Sequence, residues 1–146
     1  MDIKWEKNSA IHAHIVFKKA ERVIIGKSEK VIRSHNLTNS QFSVLDVLYT
    51  KGDMRISTLL DSMLATSGNM TVILKNMERD ELIYRKRDAE DKRAFIVGLT
   101  DKGRKLFEQI LPSHKEEIEK LYSILSDEEK IAFISILKKF KTIDKN

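Results

Sequence analysis

Apolar residues return along the first quarter of the chain at Ile11, Ile15, Phe17, Ala20, Val23, Ile24, Val31 and Ile32. That rhythm is helical rather than alternating and predicts one long helix ending near Ser34-His35-Asn36. Thr38-Asn39-Ser40-Gln41 then spells a capping box, so a second helix opens there with Phe42, Leu45, Leu48 and Tyr49 on one stripe and stops at Lys51-Gly52-Asp53. A short helix fits residues 57–63. After a break at Leu64-Ala65, another runs from an N-cap at Thr66 to about Asp80. Two short helices joined by a tight turn predict a helix-turn-helix. β-branched and aromatic residues cluster only in 82–87 and 92–99, on either side of the polar turn Asp88-Ala89-Glu90-Asp91, which predicts a two-stranded hairpin with a charged tip. Thr100 can cap a further helix to about Leu125, kinked or interrupted at Pro112. Ser126-Asp127-Glu128-Glu129 is a second capping box, opening a last helix to about Ile143. The pattern predicts a mainly α protein with one small β-hairpin.

On a wheel, the helix beginning at Thr66 sends Met70, Ile73, Leu74 and Met77 to one side, where they must meet a core. Gly68, Thr71, Val72, Lys75 and Arg79 face the other way. This outward set is short and uncharged at the N-terminal end and basic further on. It suits a helix whose first turns enter a DNA major groove while Lys75 meets a phosphate. Ser67, beside free amides, can hold a phosphate at the helix N-terminus. The plainer account is an ordinary amphipathic helix with a solvated face. At the hairpin, Arg85, Lys86, Arg87, Lys92 and Arg93 put five cations within nine positions, enough to reach across a phosphate backbone or into a minor groove. Asp88, Glu90 and Asp91 interrupt them. A purely electrostatic patch has no use for three acids, so Asp91 is read as bracing Arg93 and fixing the direction of its guanidinium. The competing account is a mixed-charge turn that blunts a sheet edge.

Composition narrows the field. With 146 residues the chain has room for one domain with a real core, and a net charge of +5 favours polyanionic partners without requiring them. The absence of cysteine excludes disulfides, thiolate nucleophiles and thiol-based redox sensing. No apolar run is long enough for a membrane span, and the first residues lack the apolar stretch of a signal peptide, which predicts a cytoplasmic protein. His12, His14, His35 and His114 do not form a metal-ligand spacing, and no cofactor motif, phosphate-cradling loop or nucleophile–base pair appears. Neither a metal, a cofactor nor an enzymatic activity is expected. A helical protein acting through protein contacts remains in play, since Ile131, Ile134, Leu137 and Phe140 form a C-terminal stripe that docks either a partner or a second copy. His14, Phe17 and Lys18 share a helix face that can line a cleft with Phe42 and Phe107, although ordinary interhelical core accounts for the same residues.

The run from Asp91 to Gly103 reads Asp-Lys-Arg-Ala-Phe-Ile-Val-Gly-Leu-Thr-Asp-Lys-Gly. It resembles the wing signature Asp-x-Arg-x-x-x-Val-x-Leu-Thr-x-x-Gly of the MarR-type (multiple antibiotic resistance regulator) winged helix-turn-helix repressors. Thr66-Ser67-Gly68-Asn69-Met70-Thr71 looks like the start of that family's recognition helix. The resemblance implies a single domain over residues 1–146. Residues 36–103 would form the DNA-binding lobe, with 1–35 and 104–146 forming dimerisation helices. It further implies a homodimer on a pseudo-palindromic double-stranded operator, with Arg93 entering a minor groove, Asp91 as its brace, and Asn69 joining Ser67 at the reading end of the helix. Members of the family commonly bind a small aromatic or phenolic effector between the two lobes and then release DNA. The segment Leu111-Pro112-Ser113-His114 resembles a branch that answers quinones and phenols.

Overall fold

The computed structural model describes residues 6–63 and 67–143. The elements in chain order are α1 (Ala10–Ser28), α2 (Lys30–Ser34), α3 (Asn39–Lys51), β1 (Met54–Arg55), α4 (Ile56–Ser62), α5 (Ser67–Arg79), β2 (Ile83–Arg87), β3 (Phe95–Leu99), α6 (Asp101–Tyr122) and α7 (Asp127–Lys138), closed by a 3-10 turn at Lys139–Thr142.

The capping signals hold. Thr38 and Gln41 exchange both bonds of their box, as do Ser126 and Glu129. Gly52, at φ 84°, ends α3, and Asn36, at φ 60°, ends α2 in the left-handed conformation that asparagine tolerates. Where one long N-terminal helix was expected, there are two segments meeting at Glu29. The Ser28 hydroxyl donates to the Ile25 carbonyl at 3.2 Å and competes there with the Glu29 amide at 3.1 Å, the local competition by which serine loosens helices. Pro112 does not interrupt α6, which runs through it for 22 residues. The break at Leu64-Ala65 and the Thr66 cap lie outside the described residues.

The sheet is larger than the predicted hairpin. Three antiparallel strands lie in the order β1-β3-β2, with Met54 opposite Val97 and Ile83 opposite Leu99. The connecting loop is also longer than the polar turn read from sequence. Asp88 N–H donates to Ala94 O and Ala94 N–H to Asp91 O, both at 3.0 Å, so strand pairing resumes only at Phe95.

The core lies between α2, α3, α5, α6 and the inner face of the sheet, with Ile32, Leu45, Leu74, Met77, Val97 and Ile110 all essentially sealed from water. The latter part of the signature run has a packing explanation. Thr100 caps α6 by accepting from Gly103 N–H and also donates to the Glu81 carbonyl at 2.6 Å. A Cβ on Gly103 would sit 2.0 Å from the Leu82 carbonyl oxygen, so only glycine lets α6 start this close to the strand. By contrast, α1 and α7 bury no residue, and Ile11, Phe17, Val23, Ile131, Ile134 and Phe140 are exposed.

Candidate nucleic-acid interface

On α5 the wheel prediction is met. Met70, Leu74 and Met77 are buried and Ile73 half-buried, while Asn69, Thr71, Val72 and Lys75 are exposed on the opposite side. Val72 leaves 57% of its surface in water, a conspicuous apolar spot on an otherwise polar face. Ser67 is the first residue of α5; its side chain lies outside what the structure describes.

The hairpin divides its five cations between two tasks. Arg85 and Arg87, two apart on β2, project to one face and sit 5.4 and 5.3 Å from the centre of the same Phe95 ring. Arg85 Nε lies 3.2 Å from Glu78 Oε2, tying the strand to α5 and keeping this guanidinium at the base of the wing. Arg87 donates to the Lys92 carbonyl at 2.7 Å and so holds the two arms of the loop together. Lys86 lies 5.8 Å from the centre of the Tyr84 ring. At the tip, Lys92 is exposed, and the Arg93 side chain leaves 92% of its surface in water. Asp91 Oδ1 accepts from Arg93 N–H at 3.0 Å and from its Nε at 3.2 Å. The Asp91–Arg93 bond read from the sequence is present, and it is made through Nε rather than the terminal nitrogens.

Asp88 departs from its predicted place among the tip acids. Only 8% of the residue is exposed, and its Oδ2 accepts from Arg55 Nε at 2.6 Å, with Nη2 at 2.5 Å. Its Oδ1 accepts from the Glu90 amide at 3.1 Å. That amide bond, ahead of the Arg55 guanidinium, lowers the carboxyl pKa below its ordinary value against the opposing effect of desolvation. Sequence reasoning missed Arg55 altogether, since its partner is 33 positions away. It also missed the bond from Tyr84 Oη to Asp53, which raises the phenol pKa. A signal for the latter was available, because a glycine inside a strand marks a close approach, and Gly98 lies directly under this bond.

The five residues proposed for an effector cleft do not come together. His14, Phe17 and Lys18 are exposed on α1, whereas Phe107 and Phe42 are core residues, their ring centroids 5.2 Å apart. Phe42 and Phe107 therefore line no cleft in the single chain: α3 packs directly on α6 and closes the space between them. Their neighbours are Tyr49, 4.7 Å from Phe107, and His114, edge-on to Phe42 at 4.8 Å. His114 Nδ1 is buried without a hydrogen-bond partner. Among the described residues, no cluster of three potential metal ligands occurs.

Comparison with known proteins agrees with this geometry. The model of the MarR family matches residues 37–95. The HTH-type transcriptional regulator MhqR of Bacillus subtilis (strain 168) is 37% identical over 115 residues, covering 79% of each chain. Among solved structures, MepR of S. aureus bound to DNA superposes with a TM-score of 0.79 at 28% identity, covering 88% of this chain and 96% of that one. NadR in complex with 4-hydroxyphenylacetate superposes at 0.74 and 20% identity, covering 95% and 97%.

Proposed function

The chain belongs to the MarR family of DNA-binding transcription regulators, and from that premise we propose that it acts as a homodimeric repressor of a pseudo-palindromic operator. It is a regulator and not an enzyme. In this reading residues 36–103 contact DNA. Asn69, Thr71 and Val72, with Ser67, face a major groove, and Lys75 meets a phosphate. Arg93 enters the adjacent minor groove with Lys92 beside it, while Arg85 and Arg87 hold the wing in shape. Residues 1–35 and 104–146 bring the two copies together. The observation that carries the reading is Arg93, held out at the wing tip by Asp91 on the same lobe as the exposed face of α5. The protein would work in the cytoplasm, in keeping with the lack, among the described residues, of a helix long and apolar enough to cross a membrane.

The test is fluorescence anisotropy with DNA from upstream of its own gene at several salt concentrations. Two wings and two helix N-termini on phosphate should give a log–log slope of about −5 to −10. A flat dependence would reject DNA binding of this kind and favour action through a protein partner.

For release we propose a small aromatic or phenolic effector. Two things support it: NadR is seen in complex with 4-hydroxyphenylacetate, and His114 Nδ1 is a buried, unpartnered polar group on a ring that meets Phe42, which in turn packs on Phe107. In this scheme a phenol hydroxyl pairs with His114 and the ring displaces part of the aromatic packing. His14, Phe17 and Lys18 complete the site once the second copy is in place. A panel of phenols added to the preformed complex should release DNA, and His114→Ala should suppress that release. Equal release from both proteins would remove His114 from the site.

A further inference from the structure

Two polar links pass over the middle strand, on the face of the sheet opposite Val97 and the core. In the register β1-β3-β2, Arg55 lies opposite Ile96 and Ile96 opposite Lys86, while Gly98 lies opposite Tyr84. Asp53 and Arg55, two apart, share that side. Asp53 accepts from Tyr84 Oη over Gly98, where any Cβ would fall within 2.6 Å of the Tyr84 ring and the Asp53 carboxylate. Arg55 reaches past Ile96 to Asp88, the first residue after β2. The four-residue stretch preceding α4 is thus tied to the root of the wing at two points.

Arg55 is also the N-cap of α4, in extended geometry (φ −64°, ψ 148°), and makes no side-chain cap bond. Ser, Thr, Asp and Asn are the residues that cap well; arginine is not among them. Its side chain leaves the helix amides unserved and instead places a guanidinium on a carboxylate that is nearly buried and has a second oxygen on the loop backbone. One end of the Arg55–Asp88 link is the start of the helix-turn-helix, and the other closes the wing loop through Asp88 N–H to Ala94 O.

We propose that Arg55 is a positioning residue for operator binding. By clamping Asp88 it fixes the angle of the wing to the helix-turn-helix, so that Arg93 and the exposed face of α5 meet the same DNA in register. The proposal rests on the reading of the wing as a DNA contact and adds the part that aims it. The clamp touches no base or phosphate itself; its effect on affinity is the fraction of time the wing spends at the correct angle.

The test uses the full-length protein and Arg55→Ser, which removes the clamp and supplies a good cap. The unfolding midpoint should stay level or rise, amides of residues 88–94 should exchange faster in the absence of DNA, and operator affinity should fall about tenfold. A residue of merely structural importance would lose stability and affinity together. Combined with Arg93→Ala, the Arg55→Ser change should add little, because a wing without its reading cation gains nothing from being aimed. Should Arg55→Ser lower the midpoint after all, Asp88→Asn reads the same link from the other end, with Arg55 kept. Unchanged exchange at 88–94 in both variants would overturn the clamp. Fully additive losses with Arg93→Ala would overturn its positioning role and make Arg55 a direct DNA contact. If Arg93→Ala alone leaves affinity untouched while Arg55→Ser speeds exchange, the wing reading fails and the clamp stands as a feature of the free protein.

Discussion

The central lobe, proposed to read DNA, and the outer helices α1 and α7 place their apolar side chains in opposite ways. Between Leu37 and Ile110, residues such as Leu45, Leu48, Met70, Met77 and Phe107 are closed off by partners within the same chain, and side-chain links span up to 59 positions. In α1 and α7 the hydrophobic residues stand at helical spacing yet remain in water, Phe140 with 63% of its surface exposed. Exposed apolar side chains repeated along a helix face mark an interaction surface. One region is closed by its own sequence, while the other leaves its apolar residues open.

The sharpest way to break that contrast is to put charge on the open region. Ile134→Asp with Phe140→Asp should leave the lobe folded but convert a dimer to monomer and abolish operator binding, as measured by sedimentation equilibrium and anisotropy. An unaltered dimer would show that these faces are not its interface. Next in size is a pair of phenylalanines. Phe107→Ala, in the sealed stack with Phe42 and Tyr49, should cost about 4 kcal/mol in chemical denaturation. Phe17→Ala, made in the Ile134→Asp/Phe140→Asp background, should change stability by less than about 0.5 kcal/mol. Similar losses would mean that α1 is as internally packed as α6.

How much of this was legible in the chain follows the same division. Both capping boxes, the helix stop at Gly52 and the buried stripe of α5 were readable because each is set by residues within one or two turns of one another. The Asp91 brace was readable for the same reason, at a spacing of two. β1, only two residues long, has no periodicity to detect and exists because β3 offers it an edge. The Arg55–Asp88 and Asp53–Tyr84 links, and the closing of Phe42 against Phe107, depend on which distant segments meet. Within one chain His14, Phe17 and Lys18 stay exposed on α1 while Phe42 and Phe107 are buried, because helical spacing fixes which residues share a face but not which elements meet.

Smaller effects sharpen the picture of the lobe. Arg93→Ala should weaken operator binding by about 1–3 kcal/mol without moving the unfolding midpoint, and Asp91→Ala should do nearly the same. The double variant should be no worse than Arg93→Ala alone, whereas additive losses would show that Asp91 acts on DNA by another route. The smallest effect concerns acid. Since the Asp88 carboxyl titrates below its ordinary 3.8 when folded, its ionised form contributes stability at any pH above that value and loses it as pH falls through the lower, folded pKa. The difference in unfolding midpoint between the parent and Asp88→Asn should therefore be constant from about pH 8 to pH 5 and shrink only in stronger acid. A change near neutrality would point to a different group.

Thr100 joins three parts at one point: its hydroxyl takes the Gly103 amide and gives to the Glu81 carbonyl, while its own amide donates to the Leu82 carbonyl at 3.2 Å. Lys102 adds a bond to the Asp80 carbonyl at 2.9 Å. Mechanically this is a pinned joint at one end of a rod, because the 22 residues of α6 extend about 33 Å away from it. A rod of that length converts a shift of about 3 Å at its far end into a turn of only about 5° at the pin. The joint is thus a reduction gear. In the proposed dimer, coarse rearrangement between the two copies, far from DNA, would become a fine rotation of the strands and helix proposed to read it.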